Sequence, residues 1–464
     1  MMLIWVGVAS NPRLWSHLLF VSGSAPTTAQ AVMVVLELAF IVLGILIMRG
    51  QLPLPMHVAK ALFSLFSFAG GLYGLIYADR ACGRWWKHPQ DESGLVFPPR
   101  TELVYDAAEF NVVARINSLG FRDAEYPVDK GDRFRVLAIG DSYTYGWGVN
   151  VEDSWCKLLE RELQTTHPRC EVLNLGKGGS YPTRCAEVAR KAVPLLKPDL
   201  VLVAILQGDD LFQTIDLLRQ QTAPSEAAGG DWNRAGIQRR KLRFQPERLF
   251  PNLLSLLPRP ARSRVSSAWR TQAWEIYARL TAEQLKQLEA LEPAVRSDFW
   301  NGKLNPSLVW NWLRRPDCFS SLEDTNRAEV KQGIAKMAAA LKEIKALVEP
   351  HGGEVIVLAV PGAVYACPES VEVRGFGVII SETMRTSGAA DFAITEAAAQ
   401  AGVAAFTFLG PFQAACATAP LYYKYDTHFT KAGNRLFAGL VARTVGERVA
   451  YHASTGAGSL PGER

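Results

Sequence analysis

The stretch FRVLAIGDSYT, residues 134–144, joins a short apolar run to a polar turn that carries a serine. The run is apolar on both faces and ends at Gly140, which is typical of a buried strand in a parallel sheet. Gly140 lets the chain turn tightly, and Ser142 follows two residues later. The stretch therefore predicts a serine hydroxyl at the carboxyl end of a buried strand.

Short apolar runs recur along the chain from residue 134 onward. We predict five strands, at residues 134–139, 172–175, 200–206, 355–360 and 403–409. Helical patterns lie between or after them, at residues 154–164, 184–196, 327–348, 392–401 and 431–449. This alternation predicts a doubly wound α/β fold, in which helices cover both faces of a parallel sheet. Ligands of such sheets bind at the carboxyl ends of strands, where Ser142 is expected.

A long insertion interrupts the alternation between residues 211 and 326. It holds half of the chain's 12 tryptophans, at positions 232, 269, 274, 300, 310 and 312. A disordered insertion would be poor in aromatic residues, so we predict a helical cap, with a helical segment over residues 273–291. Its tryptophans could stack on sugar rings, but packing within the cap is the commoner role.

Two apolar stretches near the N-terminus predict a transmembrane hairpin. Residues 28–48 carry one formal charge, Glu37, and residues 61–78 carry none. Each stretch is about as long as the roughly 20 residues that span a bilayer. Residues 1–22 are also apolar but are interrupted by a Pro and an Arg, which favours an interfacial or weak third segment. The alternative is a pair of buried core helices.

These patterns divide the chain into four segments. We predict a membrane anchor over 1–80, a linker and lead-in over 81–133, an α/β domain over 134–450 and a flexible tail over 451–464. Within the lead-in, residues 109–117 alternate enough for a strand or hairpin. Four basic residues flank the membrane hairpin on the side of the α/β domain and two on the connecting side. That count favours a cytoplasmic α/β domain.

A histidine base for Ser142 must come from a distant part of the chain. Among the seven histidines, His428 alone has a carboxylate two residues earlier, Asp426. On an extended segment these two side chains would point the same way, so Asp426 could orient the imidazole. Ser142, His428 and Asp426 are thus the candidate nucleophile, base and orienting acid, and the Ser142 amide is a candidate oxyanion donor. The alternative is a helix cap at Thr427 or Thr430 beside a solvated Asp426.

The composition argues against several other functions. A net charge of +5 without a dense basic stripe gives no reason to expect a nucleic-acid partner. The seven cysteines lack Cys-x-x-Cys spacing and neighbouring histidines, so we predict no metal site and no other cofactor. Cys367 and Cys416 could be bridged in an oxidising compartment, but buried free thiols are the commoner outcome, and the sequence leaves the disulfide status open.

Three ordered blocks resemble those of the SGNH (GDSL-type) hydrolase superfamily. Gly-Asp-Ser-Tyr-Thr at 140–144 resembles the first block, whose serine is the nucleophile, and Asp-Thr-His at 426–428 resembles the last, which supplies the base and its partner. Asn-Leu-Gly-Lys-Gly-Gly at 174–179 resembles the second block. The last glycine of that block lends its backbone amide to the oxyanion hole, which implies this role for Gly179.

The resemblance covers residues 134–215 and 350–450 and implies a flavodoxin-like three-layer sandwich. It implies an ester hydrolase that removes acyl groups, such as O-acetyl, from a glycan or a lipid-linked substrate. Two alternatives stay open, an O-acyltransferase acting on envelope polysaccharide and a catalytically weakened binding protein. Because similar proteins work in the cell envelope, we expect an extracytoplasmic catalytic domain in spite of the basic-residue count. The oligomeric state is left open.

One block departs from the family pattern. Gln-Gly-Asp-Asp at 207–210 aligns with a Gly-Asn-Asp segment whose asparagine donates to the oxyanion, which puts Asp209 in that position. An ionised carboxylate cannot donate a hydrogen bond and repels a developing negative charge. We therefore expect that Asp209 donates as a protonated acid, that another donor such as Asn174 or an aromatic residue of the insertion replaces it, or that activity is weakened.

Overall fold

The computed structural model describes residues 94–222 and 262–455, together with Pro55, Val58 and Leu75. Apart from Leu75, the two predicted membrane segments lie outside the described residues, as does most of the predicted tail. Among the residues that are described, no helix combines the length and the apolar character needed to cross a bilayer.

Eight strands form two sheets in the described chain. They are β1 (Glu102–Asp106), β2 (Asn111–Arg115), β3 (Phe134–Gly140), β4 (Cys170–Gly176), β5 (Leu200–Leu206), β6 (Arg262–Arg264), β7 (Glu354–Val360) and β8 (Ala404–Thr407). The larger sheet has the order β4-β3-β5-β7-β8, and every neighbouring pair is parallel. The predicted five-stranded parallel sheet is confirmed. β8 is shorter than the predicted strand because the chain enters a helix at Leu409.

The described residues also form thirteen α-helices. They are α1 (Ser142–Tyr145), α2 (Trp155–Gln164), α3 (Pro182–Leu196), α4 (Asp209–Thr222), α5 (Val265–Tyr277), α6 (Ala282–Ala290), α7 (Pro293–Trp300), α8 (Pro306–Arg314), α9 (Ala328–Val348), α10 (Ala363–Ala366), α11 (Ala389–Ala401), α12 (Leu409–Ala415) and α13 (Lys431–Thr455).

Helices cover both faces of the larger sheet. α9 packs against α3, α4 and α11, and their apolar residues form one core with Leu137 and Ile139 of β3. Val136 and Ala138 are equally buried but lie outside that core, so they face the opposite layer, where α2 packs against α13. Burial on both faces explains why β3 is an apolar run from Val136 to Ile139 in the sequence.

The lead-in folds into a smaller sheet that also includes a short strand from the middle of the insertion. β1 and β2 form an antiparallel hairpin, and β6 pairs in parallel with β1. Residues 107–110 form the tip of this hairpin. Tyr105 of β1 and Phe110 of the tip share a second apolar core with Trp269 of α5. The lead-in and the insertion are thus packed together by aromatic side chains.

The described part of the insertion is helical, with α5 to α8 between residues 265 and 314. The helix predicted over 273–291 is broken, because Thr281 forms a capping box with Gln284 and starts α6. Trp312 is buried and packs on Phe376 at 5.1 Å between ring centroids. In contrast, Trp274 is 56% exposed, although its ring packs on that of Trp300 with centroids 4.6 Å apart.

Candidate active site

Ser142 is the first residue of α1 and follows β3 after a single intervening residue. Asp141 caps α1, because its Oδ1 accepts a hydrogen bond from the Tyr143 amide at 2.9 Å. A Cβ at Gly140 would lie 2.9 Å from the Ala204 oxygen of β5, so the turn has no room for a side chain. These contacts hold the half-buried Ser142 at the carboxyl end of the sheet.

Ser142, His428 and Asp426 form one hydrogen-bonded chain. His428 Nε2 lies 2.7 Å from Ser142 Oγ, and His428 Nδ1 lies 2.5 Å from Asp426 Oδ1. When Nδ1 carries the proton and donates it to Asp426, Nε2 is free to accept the serine proton. Asp426 is 6% exposed and is therefore not the solvated carboxylate of the helix-cap alternative. Thr430 does accept a hydrogen bond from the Gly433 amide, so capping and the triad coexist.

The segment that carries Asp426 and His428 is a turn, and the predicted extended geometry is wrong. Thr427 has a φ of 66°, in the left-handed region that a β-branched residue seldom adopts. The Tyr143 hydroxyl donates to the Thr427 oxygen at 2.7 Å, and the Thr427 amide donates to the Tyr423 oxygen at 3.1 Å. The turn still brings the side chains of Asp426 and His428 within hydrogen-bond distance, but in a backbone conformation that strand periodicity does not predict.

The charges around His428 favour its protonated form. Burial lowers the pKa of His428, but the charge of Asp426, the hydrogen bonds to it and the charge of Asp141 together raise that pKa further than burial lowers it. Burial raises the pKa of Asp141 itself to about 7. The imidazole therefore becomes a neutral base at a higher pH than an ordinary histidine.

Two backbone amides near Ser142 are suited to bind an oxyanion. The amides of Ser142 and Gly179 have no hydrogen-bond acceptor among the described residues. A Cβ at Gly178 would lie 3.9 Å from Ser142 Cβ, which puts this turn beside the serine. Gly179 has a φ of 70°, a conformation that favours glycine.

Asp209, the third residue predicted for the oxyanion hole, begins α4. Its Oδ2 accepts a hydrogen bond from Gln213 Nε2 at 2.5 Å, and no described residue forms a hydrogen bond with its Oδ1. Burial raises the pKa of Asp209, while the Gln213 bond and the charge of His428 partly offset that rise. The raised pKa favours the protonated acid, which could donate through Oδ1.

The other donors that the sequence suggested are engaged elsewhere. Asn174 Oδ1 accepts from the Gly176 amide at 3.0 Å, and its Nδ2 lies 3.5 Å from the Tyr145 oxygen. This side chain therefore stabilises the end of β4. In the described ranges, no tyrosine or tryptophan of the insertion forms a hydrogen bond with Ser142, Gly179 or His428.

Two further residues bind the turn that carries the histidine and were missed in the sequence. Trp147 Nε1 donates to Asp426 Oδ2 at 3.2 Å. Glu109 Oε2 accepts from the Asp426 amide at 2.7 Å. Trp147 and Asp426 are 279 residues apart, and no spacing motif connects either residue with the triad.

Cys367 and Cys416 form a disulfide, with their Cα atoms 5.7 Å apart. Of the two outcomes that the sequence left open, the bridged one is found for this pair, because packing of α10 against α12 brings together residues that are 49 positions apart in sequence. The remaining described cysteines are buried free thiols, at positions 156, 170, 185 and 318. The disulfide lies in the part of the chain that precedes the Asp426 turn.

The arrangement is suited to nucleophilic catalysis by a serine hydroxyl. It combines a positioned hydroxyl, a base, an orienting carboxylate for that base and free amides beside the nucleophile. Over residues 94–222 and 262–455, no group of three or more His, Cys, Asp or Glu side chains could hold a metal ion.

Two protein-family models match consecutive parts of the chain. The GDSL-like lipase/acylhydrolase family matches residues 138–304, which include Ser142. The SGNH hydrolase-like domain of the acetyltransferase AlgX matches residues 312–459, which include Asp426 and His428. No curated protein matches the sequence significantly.

Three solved structures align with the chain at low similarity. LAE5, an α/β hydrolase from the metagenome of Lake Arreo, Spain, is 15% identical, and the alignment covers 67% of this chain and 94% of LAE5 with a TM-score of 0.32. The acetylxylan esterase Axe2 from Geobacillus stearothermophilus is 14% identical, with the same coverage and a TM-score of 0.32. The acetyl xylan esterase AlAXEase is 11% identical, with 67% and 99% covered and a TM-score of 0.32. TM-scores this low support no conclusion about fold or activity.

The part of the chain matched by the first model includes Ser142 after β3, and the part matched by the second includes β7 and β8 of the same parallel sheet. The hydrogen-bonded chain joins a serine from the part matched by the first model to a histidine and an aspartate from the part matched by the second. These observations together support the assignment of the chain to the SGNH/GDSL hydrolase superfamily.

Proposed function

We propose that the protein is a serine esterase that cleaves an acyl ester through a covalent intermediate. The observation that carries this proposal is the hydrogen-bonded chain from Ser142 through His428 to Asp426. Ser142 Oγ attacks the acyl carbon as its proton passes to His428 Nε2, and the carbonyl oxygen becomes an oxyanion. His428 then protonates the leaving alcohol oxygen. Water, deprotonated by His428, attacks the acyl-serine, releases the acid and restores the hydroxyl.

The oxyanion hole proposed for this reaction has three donors. The amides of Ser142 and Gly179 are the first two, because both lack another acceptor in the described chain. Asp209 is the third when it is protonated, since its Oδ1 has no hydrogen-bond partner among the described residues. Acyl groups on a glycan or a lipid-linked substrate, such as O-acetyl, are the substrates that we propose.

A fluorophosphonate tests the nucleophile directly, because it phosphonylates an activated serine. We expect the full-length protein to react at Ser142, identified by mass spectrometry of the modified peptide, and to release acetate from an O-acetylated glycan. Prior protonation of His428 at acid pH should slow the reaction, since the pKa of His428 is raised. A protein that shows no labelling at any pH would contradict the esterase proposal and favour a binding protein.

A second candidate is acyl transfer to a hydroxyl of an envelope polysaccharide. The match of residues 312–459 to the AlgX acetyltransferase domain favours it. The acyl-serine would form in the same way, and a sugar hydroxyl would replace water in the second step. Product analysis separates the two reactions. Acid release without an acceptor supports hydrolysis, whereas acyl-sugar that forms only when an acceptor is present supports transfer.

We propose that residues 1–80 anchor the protein in a membrane and that the catalytic domain is extracytoplasmic. The Cys367–Cys416 disulfide supports the second part, because disulfides form and persist in oxidising compartments.

Thiol alkylation of intact cells, followed by denaturation and mass spectrometry, tests this location. We expect Cys367 and Cys416 to be protected until a reductant is added, while Cys156 becomes reactive on denaturation alone. Alkylation of both cysteines without reductant would argue for a reducing compartment.

Replacing both disulfide cysteines with serine should lower the free energy of unfolding by about 2–4 kcal/mol, measured by thermal or urea unfolding.

A further inference from the structure

We propose that Glu109, at the tip of the β1–β2 hairpin, is a positioning residue that holds Asp426 in place for His428. This inference rests on the proposed function, because it assigns Glu109 a part in the proton transfer from Ser142. Glu109 lies in the lead-in, outside both regions that the superfamily resemblance covers. The hairpin would then position a residue of the active site, in addition to joining the anchor to the α/β domain.

The Glu109 carboxylate binds the backbone of the turn that carries the triad. Its Oε2 accepts from the Asp426 amide at 2.7 Å and from the Tyr425 amide at 3.1 Å, and its Oε1 lies 3.2 Å from the same Tyr425 nitrogen. No lysine or arginine pairs with Glu109 within the described chain. Hydrogen bonds to an ionised carboxylate are about twice as strong as neutral ones, so the Glu109 carboxylate binds the backbone of this turn strongly.

Asp426 is consequently held at three atoms. Glu109 binds its main-chain nitrogen, Trp147 Nε1 donates to its Oδ2, and His428 Nδ1 binds its Oδ1. The Trp147 ring in turn packs on Tyr105 of β1 with ring centroids 5.0 Å apart. The hairpin therefore supports both the backbone and the carboxylate of Asp426.

The turn needs outside support because its backbone is strained. Thr427, between Asp426 and His428, has a φ of 66°. A β-branched residue keeps such a conformation only where the surrounding structure determines it. Tyr143 fixes the turn from the side of the nucleophile, and Glu109 fixes it from the side of the hairpin. Loss of one support would let the turn relax and move Asp426 away from the imidazole.

The charges around Glu109 fit a functional role better than a role in a stabilising ion pair. Burial raises the pKa of Glu109, the backbone hydrogen bonds lower it, and the nearby charge of Asp426 raises it. Lys303 and Glu109 line one small cavity, but the Nζ of Lys303 pairs with Asp106 at 2.6 Å. The carboxylates of Glu109 and Asp426 repel each other, and neither pairs with a lysine or an arginine among the described residues; such a conflict is expected where a site requires it.

Glu109→Gln in the full-length protein tests the proposal, with Glu102→Gln as the matched control. Glu102 lies on the same hairpin and pairs with Arg115 at 3.2 Å, away from the Asp426 turn. We expect Glu109→Gln to lower kcat on a short acyl ester, and the rate of fluorophosphonate labelling, by about 10- to 100-fold with little change in KM. We expect the control to retain wild-type values.

The pH profile separates positioning from a general structural role. Asp426 raises the pKa of His428, while burial lowers it, and Asp141 and Asp209 are the other carboxylates that act on His428. A displaced Asp426 lets the His428 pKa fall, so the acid limb of the activity profile should move to lower pH in Glu109→Gln. A variant that is merely less stable would keep the limb in place, because its folded fraction has the wild-type site.

The rates and pH profiles of the Glu109 variants decide the positioning role, and those of the wild type decide the proposed function. Wild-type rates in Glu109→Gln and Glu109→Ala would overturn the positioning role and leave the esterase proposal intact. A slower Glu109→Gln with an unmoved acid limb would overturn it as well and make Glu109 a stabilising residue. A wild-type protein that neither labels nor turns over would overturn the proposed function, and with it the role of Glu109. If Glu109→Ala does not fold, Glu109→Gln decides.

Discussion

Ser142→Ala is expected to lower kcat on an acyl ester by about 10⁴- to 10⁶-fold while leaving the protein folded. The Ser142 hydroxyl is the atom that would form the acyl-enzyme, and no other described residue offers a hydroxyl to His428 Nε2. The fold should tolerate the change, because α1 is capped through Asp141 and Ser142 itself is partly exposed. A surface change of this kind alters stability by about 0.5 kcal/mol or less.

Steady-state kinetics and a thermal unfolding curve, recorded for each protein, compare the activity and stability of Ser142→Ala with those of the wild type. Ser154→Ala is the matched control, because Ser154 Oγ donates only to the Val151 oxygen, at 2.6 Å, away from the triad. We expect the control to keep most of its activity, and Ser142→Ala to lose fluorophosphonate labelling altogether. Esterase activity that survives in Ser142→Ala would show that another group, or a contaminating enzyme, performs the reaction.

The features that the sequence predicted correctly depend on local patterns. Strand β5, and β3 after Arg135, are buried on both faces and are therefore continuous apolar runs, visible without knowledge of their neighbours. The serine turn follows from a glycine at the end of β3. His428 was identified because Asp426 stands two residues before it, although the turn at Thr427 makes the geometry differ from the predicted one.

The features that were missed depend on contacts between distant parts of the chain. Glu109 meets Asp426 across 317 residues, and Trp147 meets it across 279. Such contacts follow from how the hairpin, the insertion and the α/β domain pack, which no local pattern encodes. The Cys367–Cys416 disulfide is a similar case, since composition gave a general expectation and the packing of α10 on α12 decided the outcome.

Asp209→Asn is expected to raise kcat/KM at alkaline pH by about 10²-fold, the size of the effect that one oxyanion donor has in a serine hydrolase. Burial raises the pKa of Asp209, so the protonated donor persists to a higher pH than in an ordinary aspartate. Above that pKa the donor is lost and a negative charge faces the oxyanion. The wild-type rate should therefore rise as His428 loses its proton and fall as Asp209 ionises, which gives a bell-shaped profile.

An asparagine donates at every pH, so Asp209→Asn should keep the acid limb and lose the alkaline one. Asp210→Asn is the matched control, because Asp210 Oδ2 accepts from the Leu206 amide at 2.9 Å and an amide oxygen can replace it. We expect the alkaline limb to remain in that control. An unchanged alkaline limb in Asp209→Asn would mean that Asp209 does not face the oxyanion. A rate that falls at every pH would mean that the carboxylate itself is needed, through its bond with Gln213 or its charge beside His428.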